Sequence, residues 1–240
     1  MPRLLDLFCG EGGAGAGYVR AGWDVLGVDN SRARLARYPF DHVRADALEY
    51  LTAHGHEFDA VHASPNCTGY SRGTAAIPDR LERYDRLIGT TRAVLTHPEL
   101  LPPGTPWVIE NVEDARRELV DPLVLCWTHF RNPGSVLDTD GTPLWMRRHR
   151  LFESNVALHP AEDCRHPRNM QCAGAYGGAR RDKVEARTIR KGGYVPSVSI
   201  MADLLGIDWM TEKGLQLSIP PAYTAHIGSQ LLAHLEERVA

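Results

Sequence analysis

Short apolar runs alternate with amphipathic stretches over the first 130 residues. Runs of strand length lie at Arg3–Phe8, Val25–Val28, His42–Arg44, Phe58–Ala63 and Trp107–Ile109. Helical spacing of apolar positions lies between them, at Ala14–Ala21, Ser31–Arg37, Ala47–His54 and around Leu81–Thr96. This alternation predicts an α/β fold with a mostly parallel sheet and helices on both faces. The pattern changes after Arg150. Residues 155–200 are rich in Pro, Gly, Arg and His with weak periodicity, which predicts a small loop-rich insert. Helical spacing returns over 201–218, Ser218–Pro221 reads as a turn, and Tyr223–Val239 as a closing helix. The expected organisation is a body over 1–154, an insert over 155–204 and a returning segment over 205–240.

The predicted strands share one property. Each ends at or just before a residue with chemistry or special backbone freedom: Gly10, Asp29, Asp46, Cys67 and Glu110. In an open parallel sheet, ligands bind outside the carboxyl ends of the strands. These five positions are therefore expected around one crevice.

Composition adds little beyond a globular class. The chain has 240 residues, 43% hydrophobic and 24% charged, with a net charge of −3. That balance does not announce a polyanionic partner. Locally, however, eleven Lys and Arg stand against five Asp and Glu between Arg147 and Lys191. Such a segment can bind nucleic acid on an otherwise acidic body. The five cysteines are odd in number and do not space as a disulfide framework, so reduced thiols and a cytoplasmic setting are expected. No opening apolar signal segment is read, and no run approaches the roughly 18 apolar residues of a membrane span.

The candidate chemistry sits in a few short stretches, each of which also has an ordinary structural reading. Asp6–Gly17 is a strand, a glycine-rich turn and a helix, with Asp29 about 20 positions after the first glycine. That spacing suits a nicotinamide, flavin or adenosyl cofactor whose ribose the acid holds, ahead of a bare tight turn with no ligand. Ser64-Pro-Asn-Cys-Thr-Gly-Tyr-Ser71 puts a cysteine in a proline-led loop at a strand end. A lone cysteine is usually a small buried hydrophobe, but a thiolate facing a crevice is a strong nucleophile. Val108-Ile-Glu-Asn-Val112 sets a carboxyl group at the next strand end, either a solvated terminus or a proton donor. Arg147-Arg-His-Arg150 is a solvated basic face, or a source of one guanidinium for a base or phosphate. His159, Cys164, His166 and Cys172 can supply zinc ligands, but their spacing fits no standard template, so ordinary loop residues and no metal are expected.

Taken in order, these stretches resemble the cytosine-C5 DNA methyltransferases. The resemblance covers residues 1–153 and about 205–240. It implies a Rossmann-like fold dependent on S-adenosylmethionine, with S-adenosylhomocysteine as product. The implied cofactor residues are Asp6, Phe8, Gly10, Gly12, Gly13, Asp29, Asn30, Asp46, Ala47, Ser64 and Pro65. Asp29 falls on the ribose acid and Asp46 on the residue that reads the adenine amino group. Cys67 falls on the nucleophile, Glu110 on the acid that protonates N3, Arg150 on the guanidinium at O2, and Arg148 on its neighbouring brace. Ala222–Ser229 resembles the family's final motif. Asn66, Thr68, Met146, Asn30 and the Gly228-Ser229-Gln230 run depart from the family pattern.

The interval usually given to target recognition is short, as in phage-borne or stand-alone members; for a phage-encoded enzyme the expected site is the host cytoplasm. The expected partner is double-stranded DNA, contacted through Ser71, Arg72, Arg180, Arg181, Lys183, Arg187, Arg190 and Lys191, with a flipped base and a monomeric enzyme. An RNA cytosine methyltransferase and a non-catalytic cofactor- or DNA-binding relative are the alternatives.

Overall fold

A computed structural model of the chain describes residues 1–71, 84–175 and 194–239. Arg72 and the basic positions Arg180, Arg181, Lys183, Arg187, Arg190 and Lys191 lie outside the described residues.

Among the described residues, the strands run β1 (Arg3–Leu7), β2 (Asp24–Asp29), β3 (His42–Arg44), β4 (Ala60–Ala63), β5 (Trp107–Asn111), β6 (Leu123–Cys126), β7 (Val136–Leu137), β8 (Pro143–Met146), β9 (His149–Ser154) and β10 (Gln171–Ala173). The helices are α1 (Gly13–Ala21), α2 (Arg32–Leu35), α3 (Ala47–His54), α4 (Ile88–Leu95), α5 (Val198–Leu205), α6 (Glu212–Leu217) and α7 (Pro221–Val239). The main sheet has seven strands in the order β3-β2-β1-β4-β5-β9-β6. Pairing is parallel from β3 through β5, and β9 runs antiparallel to both β5 and β6. The expected mostly parallel sheet is present. Strand order reverses between β1 and β4, which opens a crevice at their carboxyl ends.

Alternation along the central strands divides the core. Leu5, Leu7, Val61 and Ile109 face α3 and α4, whose Leu51, Ile88 and Leu95 join that cluster. Leu4, Ala60 and Val108 face the other side, where Tyr18, Trp23, Tyr223, Ile227 and Leu231 of the α1–α7 layer pack. Burial of both faces explains why the strands read as short continuous apolar runs.

The glycines of α1 serve this packing. A Cβ at Gly17 would meet Thr224 Oγ1 at 2.0 Å and the Pro221 carbonyl at 2.1 Å; one at Gly13 would meet the Ile219 carbonyl at 2.6 Å. α1 can approach α7 and the segment before it only because these positions lack side chains.

A small second layer accompanies the main sheet. A second, three-stranded sheet, β10-β8-β7, takes two strands from before residue 155. With α5 and α6 it encloses its own core of Trp127, Leu144, Trp145, Met201, Leu204 and Leu215. The predicted helix over 201–218 is two helices. Gly206 (φ 69°) caps α5, and the Thr211 side chain accepts from Gly214 N to start α6. The longer helical stretch expected around Leu81–Thr96 begins only at Ile88 within the described residues. Among the described residues, no helix is long and apolar enough to cross a membrane.

Gly17→Ala tests the close approach of α1 to α7. In an exposed helix this change stabilises by about 1 kcal/mol; here it is expected to destabilise by roughly 1–3 kcal/mol through overpacking, read by urea denaturation. A neutral or stabilising result contradicts the packing described.

Candidate active site

The crevice at the β1/β4 reversal holds a cavity of about 680 Å³. Its walls include Asp6, Phe8, Gly10, Gly13, Asp29, Asn30, Asp46, Ala47, Ser64, Pro65, Cys67, Glu110 and Arg150. Most of the expected site therefore converges on one volume. Gly12 and Arg148 are absent from these walls. Gly12 N-caps α1 with φ 94°, and a Cβ there would press on Pro39 and Tyr38.

The turn after β1 is shaped by backbone strain. Phe8 and Gly10 both sit at φ 58°. For Phe8 this left-handed conformation costs about 1–2 kcal/mol, the kind of cost that clusters at functional sites. A Cβ at Gly10 would meet no atom within 4 Å, so its backbone faces open space. Asp29, at the end of β2, accepts from Gly10 N at 3.1 Å and Ser31 N at 2.8 Å, with Arg34 at 3.6 Å. The Asp29 carboxylate thereby fixes the turn it faces. Asp46 ends the loop after β3 and caps α3, its Oδ1 accepting from Leu48 N and Glu49 N.

Asp6 is fully buried on β1 and accepts from Tyr38 Oη at 3.1 Å. Burial, aided by the charge of Asp29, pushes its carboxyl up to about 7 despite the Tyr38 hydrogen bond. Tyr38 was not singled out in the sequence, where it looks like any aromatic after a short helix.

Cys67 stands at the head of a turn after β4. Its carbonyl accepts from Tyr70 N and Ser71 N, both at 3.0 Å. Asn66 accepts from Thr68 N at 3.0 Å and Thr68 Oγ1 at 2.7 Å. These two bonds close a turn over the residues that flank Cys67. Asn111 donates to the Pro65 carbonyl at 2.9 Å and ties the end of β5 to the cysteine loop. Beneath the loop, His62 joins Tyr18 Oη at 2.9 Å to Ser64 Oγ at 2.7 Å. Burial holds the His62 imidazole down at about 3, so the bridge stays neutral.

Glu110 and Arg150 form a buried ion pair, Nε to Oε1 at 3.0 Å. Burial raises the Glu110 carboxyl above the ordinary range; Arg150 and a Ser64 hydrogen bond oppose it without cancelling it. Burial likewise raises the Cys67 thiol, with Arg150 pulling it back towards the thiolate. Arg148 points elsewhere. It is fully buried and donates to the carbonyls of Ala175 (3.2 Å), Gln216 (3.1 Å) and Ser218 (2.5 Å). It joins the insert to the returning segment; within the basic run Arg147 is exposed while Arg148 and Arg150 are buried, so two of its guanidiniums are interior groups.

The returning segment contributes a wall the sequence did not reveal: Met210, Thr211, Gly214, Ser218 and Ile219 line the cavity. Glu11 holds it in place, accepting from Thr211 N at 2.7 Å and Thr211 Oγ1 at 2.6 Å. A carboxylate one residue past the first turn glycine gives no sequence signal for this role.

No protein-family model and no curated protein matches the chain. Solved structures do match over nearly its whole length. An E. coli prophage protein assigned as a DNA modification methyltransferase superposes with a TM-score of 0.59 at 16% identity, covering 98% of this chain and 100% of that one. The S. pombe Dnmt2 methyltransferase gives 0.59 at 14%, covering 98% and 99%. The Spodoptera frugiperda DNMT2 gives 0.51 at 12%, covering 98% and 100%. The fold is the Rossmann-like fold of S-adenosylmethionine-dependent methyltransferases.

The raised Asp6 carboxyl gives a pH test. In the unfolded chain Asp6 loses its proton near 3.8, in the folded chain near 7. The folded state therefore holds the extra proton between those values, and stability falls as pH rises through them. Asp6→Asn removes the titration. Wild type is expected to lose several kcal/mol relative to this variant between pH 4 and 7, on a scale of about 1.4 kcal/mol per pH unit. Parallel stability profiles contradict the assignment.

Proposed function

We propose that the protein is a DNA cytosine-5 methyltransferase that uses S-adenosylmethionine and forms a covalent adduct through Cys67. The observation that carries this reading is the meeting of Cys67, Glu110 and Arg150 with Asp29, Asp46 and the Gly10 turn around one cavity.

The cavity residues fit the cofactor. Its volume falls within the roughly 300–1,000 Å³ of small-molecule sites. The Gly10 backbone faces open space, and Asp6 Oδ1 is buried without a hydrogen-bond partner. Asp29 would accept from the ribose hydroxyls and Asp46 from the adenine amino group. The N-terminus of α1 and the Phe8–Gly13 turn would hold the amino-acid end. When bound, S-adenosylmethionine supplies an electrophilic methyl group.

The chain's own residues then do the following. Cys67 as thiolate adds to C6 of cytosine, and the electron pair moves into the ring towards C5. Glu110 stays protonated more readily than an ordinary carboxyl because it is buried, and so gives a proton to N3 as charge develops there. Arg150 orients Glu110 through the 3.0 Å contact and reaches O2 of the base. Once C5 carries the methyl group, loss of the C5 proton to water and return of the N3 proton to Glu110 expel Cys67 as thiolate and restore the ring. Arg148 acts at a distance, as a positioning residue that fixes the insert against the returning segment. In duplex DNA the base must first leave the stack, at a cost of a few kcal/mol.

The partner is proposed as double-stranded DNA, with the 180–191 segment on the phosphates. Affinity is then expected to fall with salt by a slope of about 0.9 per phosphate contact. Replacing Arg187, Arg190 and Lys191 by alanine should flatten that slope; an unchanged slope removes the segment from the interface.

The reaction is tested with DNA containing 5-fluorocytosine, from which the adduct cannot resolve because C5 carries no proton. A covalent complex is expected with wild type and none with Cys67→Ser. Glu110→Gln is expected to lower the methylation rate by about 10²–10⁴-fold. An adduct that survives Cys67→Ser overturns the assignment. Offering RNA of the same sequence in parallel decides between the two polymers: faster turnover of RNA overturns the DNA reading and leaves the chemistry standing.

A further inference from the structure

Away from the cavity, three separate segments bring four soft ligands together. Cys126 ends β6, His149 begins β9, and Cys164 and His166 come from the loop before β10. Their ligand atoms all lie within 4.8 Å of one another. Cys126 Sγ is 3.3 Å from His166 Nε2, and Cys164 Sγ is 3.6 Å from His149 Nε2. In a tetrahedral zinc site with bonds of about 2.3 Å to sulfur and 2.0–2.1 Å to nitrogen, neighbouring ligand atoms lie roughly 3.3–3.8 Å apart. The two measured edges already have that span. Closing the widest separation takes about 1 Å, from a set that includes the exposed Cys164.

The surroundings are those of a metal ligand set. His149 uses Nε2 towards the sulfurs and places Nδ1 3.0 Å from Glu113 Oε1. A carboxylate behind a ligating imidazole fixes its tautomer and ring orientation. His166 stacks on Trp145, with centroids 5.2 Å apart and planes at 28°. Cys126 and His149 face each other directly in the β6–β9 register, so half of the set is fixed by the sheet.

We propose that Cys126, His149, Cys164 and His166 bind one structural zinc ion that staples the loop before β10 to the edge of the main sheet. The expectation of no metal is revised accordingly. Of the four residues considered in the sequence, Cys164 and His166 belong to this set. Cys172 is buried in the core of the insert, and His159 makes backbone contacts to the α7 residues Gln230 and His226. Spacing concealed the site because two ligands lie 15 and 38 residues before Cys164. All four ligands are used, which leaves no open position for catalysis. The consequence for the cavity is positional: His149 sits between Arg148 and Arg150, so the ion would anchor the start of β9, which carries Arg150 and directly follows Arg148. The inference does not rest on the methyl-transfer reading.

The test uses the full-length chain, purified under reducing conditions without a histidine tag. Elemental mass spectrometry is expected to find about one zinc per chain, falling below a tenth in Cys164→Ser and His166→Ala. His159→Ala and His129→Ala should keep the metal; His129 is the control closest to the site, its Nε2 lying 3.3 Å from Cys164 Sγ. Cobalt loaded into wild type in place of zinc should give thiolate-to-cobalt charge transfer and intense tetrahedral d–d bands. This readout does not depend on a variant folding. A strong chelator should lower Tm in wild type and leave Cys164→Ser unmoved. Folded wild type that neither retains nor takes up zinc, cobalt spectra without a thiolate band, or a Cys126–Cys164 disulfide in peptide mapping of reduced-purified protein would each overturn the proposal.

Discussion

The contact on which the site depends is the 3.0 Å pair between Arg150 and Glu110. Removing two charges from water costs several kcal/mol per ion, and their attraction repays this only in good geometry. The pair is therefore weak evidence for stability and better read as a positional device. It joins β5, the last parallel strand, to β9, which runs antiparallel between β5 and β6. It also sets the electrostatics of the cavity: burial moves the Glu110 carboxyl and the Cys67 thiol upward together, and the same guanidinium moderates both.

Around that pair the fold is an arrangement for bringing distant segments to one edge. Strand reversal opens the crevice. Glycines in α1 let α7 pack closely. Glu11 and Arg148 then pull the returning segment against the opening: Glu11 by accepting from Thr211, Arg148 by donating to the carbonyls of Gln216 and Ser218. Each contact spans a large distance in sequence. The cavity is thus a product of the whole chain, not of the glycine turn alone.

This explains what was legible in the sequence. The strand ends were, because burial on both faces writes a parallel strand as a short apolar run and its chemistry falls at or within a few residues of that run's end. Cys67, Glu110, Asp29 and Asp46 are the candidates read that way, and all four line one cavity. Arg148 could not be separated from Arg150 by sequence, since two arginines two apart on a strand share a face in an ideal ladder; Arg148 lies before β9 begins and turns its side chain to three carbonyls instead. Tyr38 and Glu11 were invisible because their roles are defined by partners up to 200 positions away. The strands β7 and β8 were not legible because two to four residues carry no periodicity.

The central claim is that a sulfur attacks C6 so that C5 can accept a methyl group, and release of the C5 hydrogen reports this step directly. With DNA carrying tritium at C5 of cytosine and S-adenosylmethionine as donor, the account predicts one tritium released to water for each methyl group incorporated, and neither with Cys67→Ser. Methyl incorporation without tritium release would place the new group on another atom of the base and contradict the account.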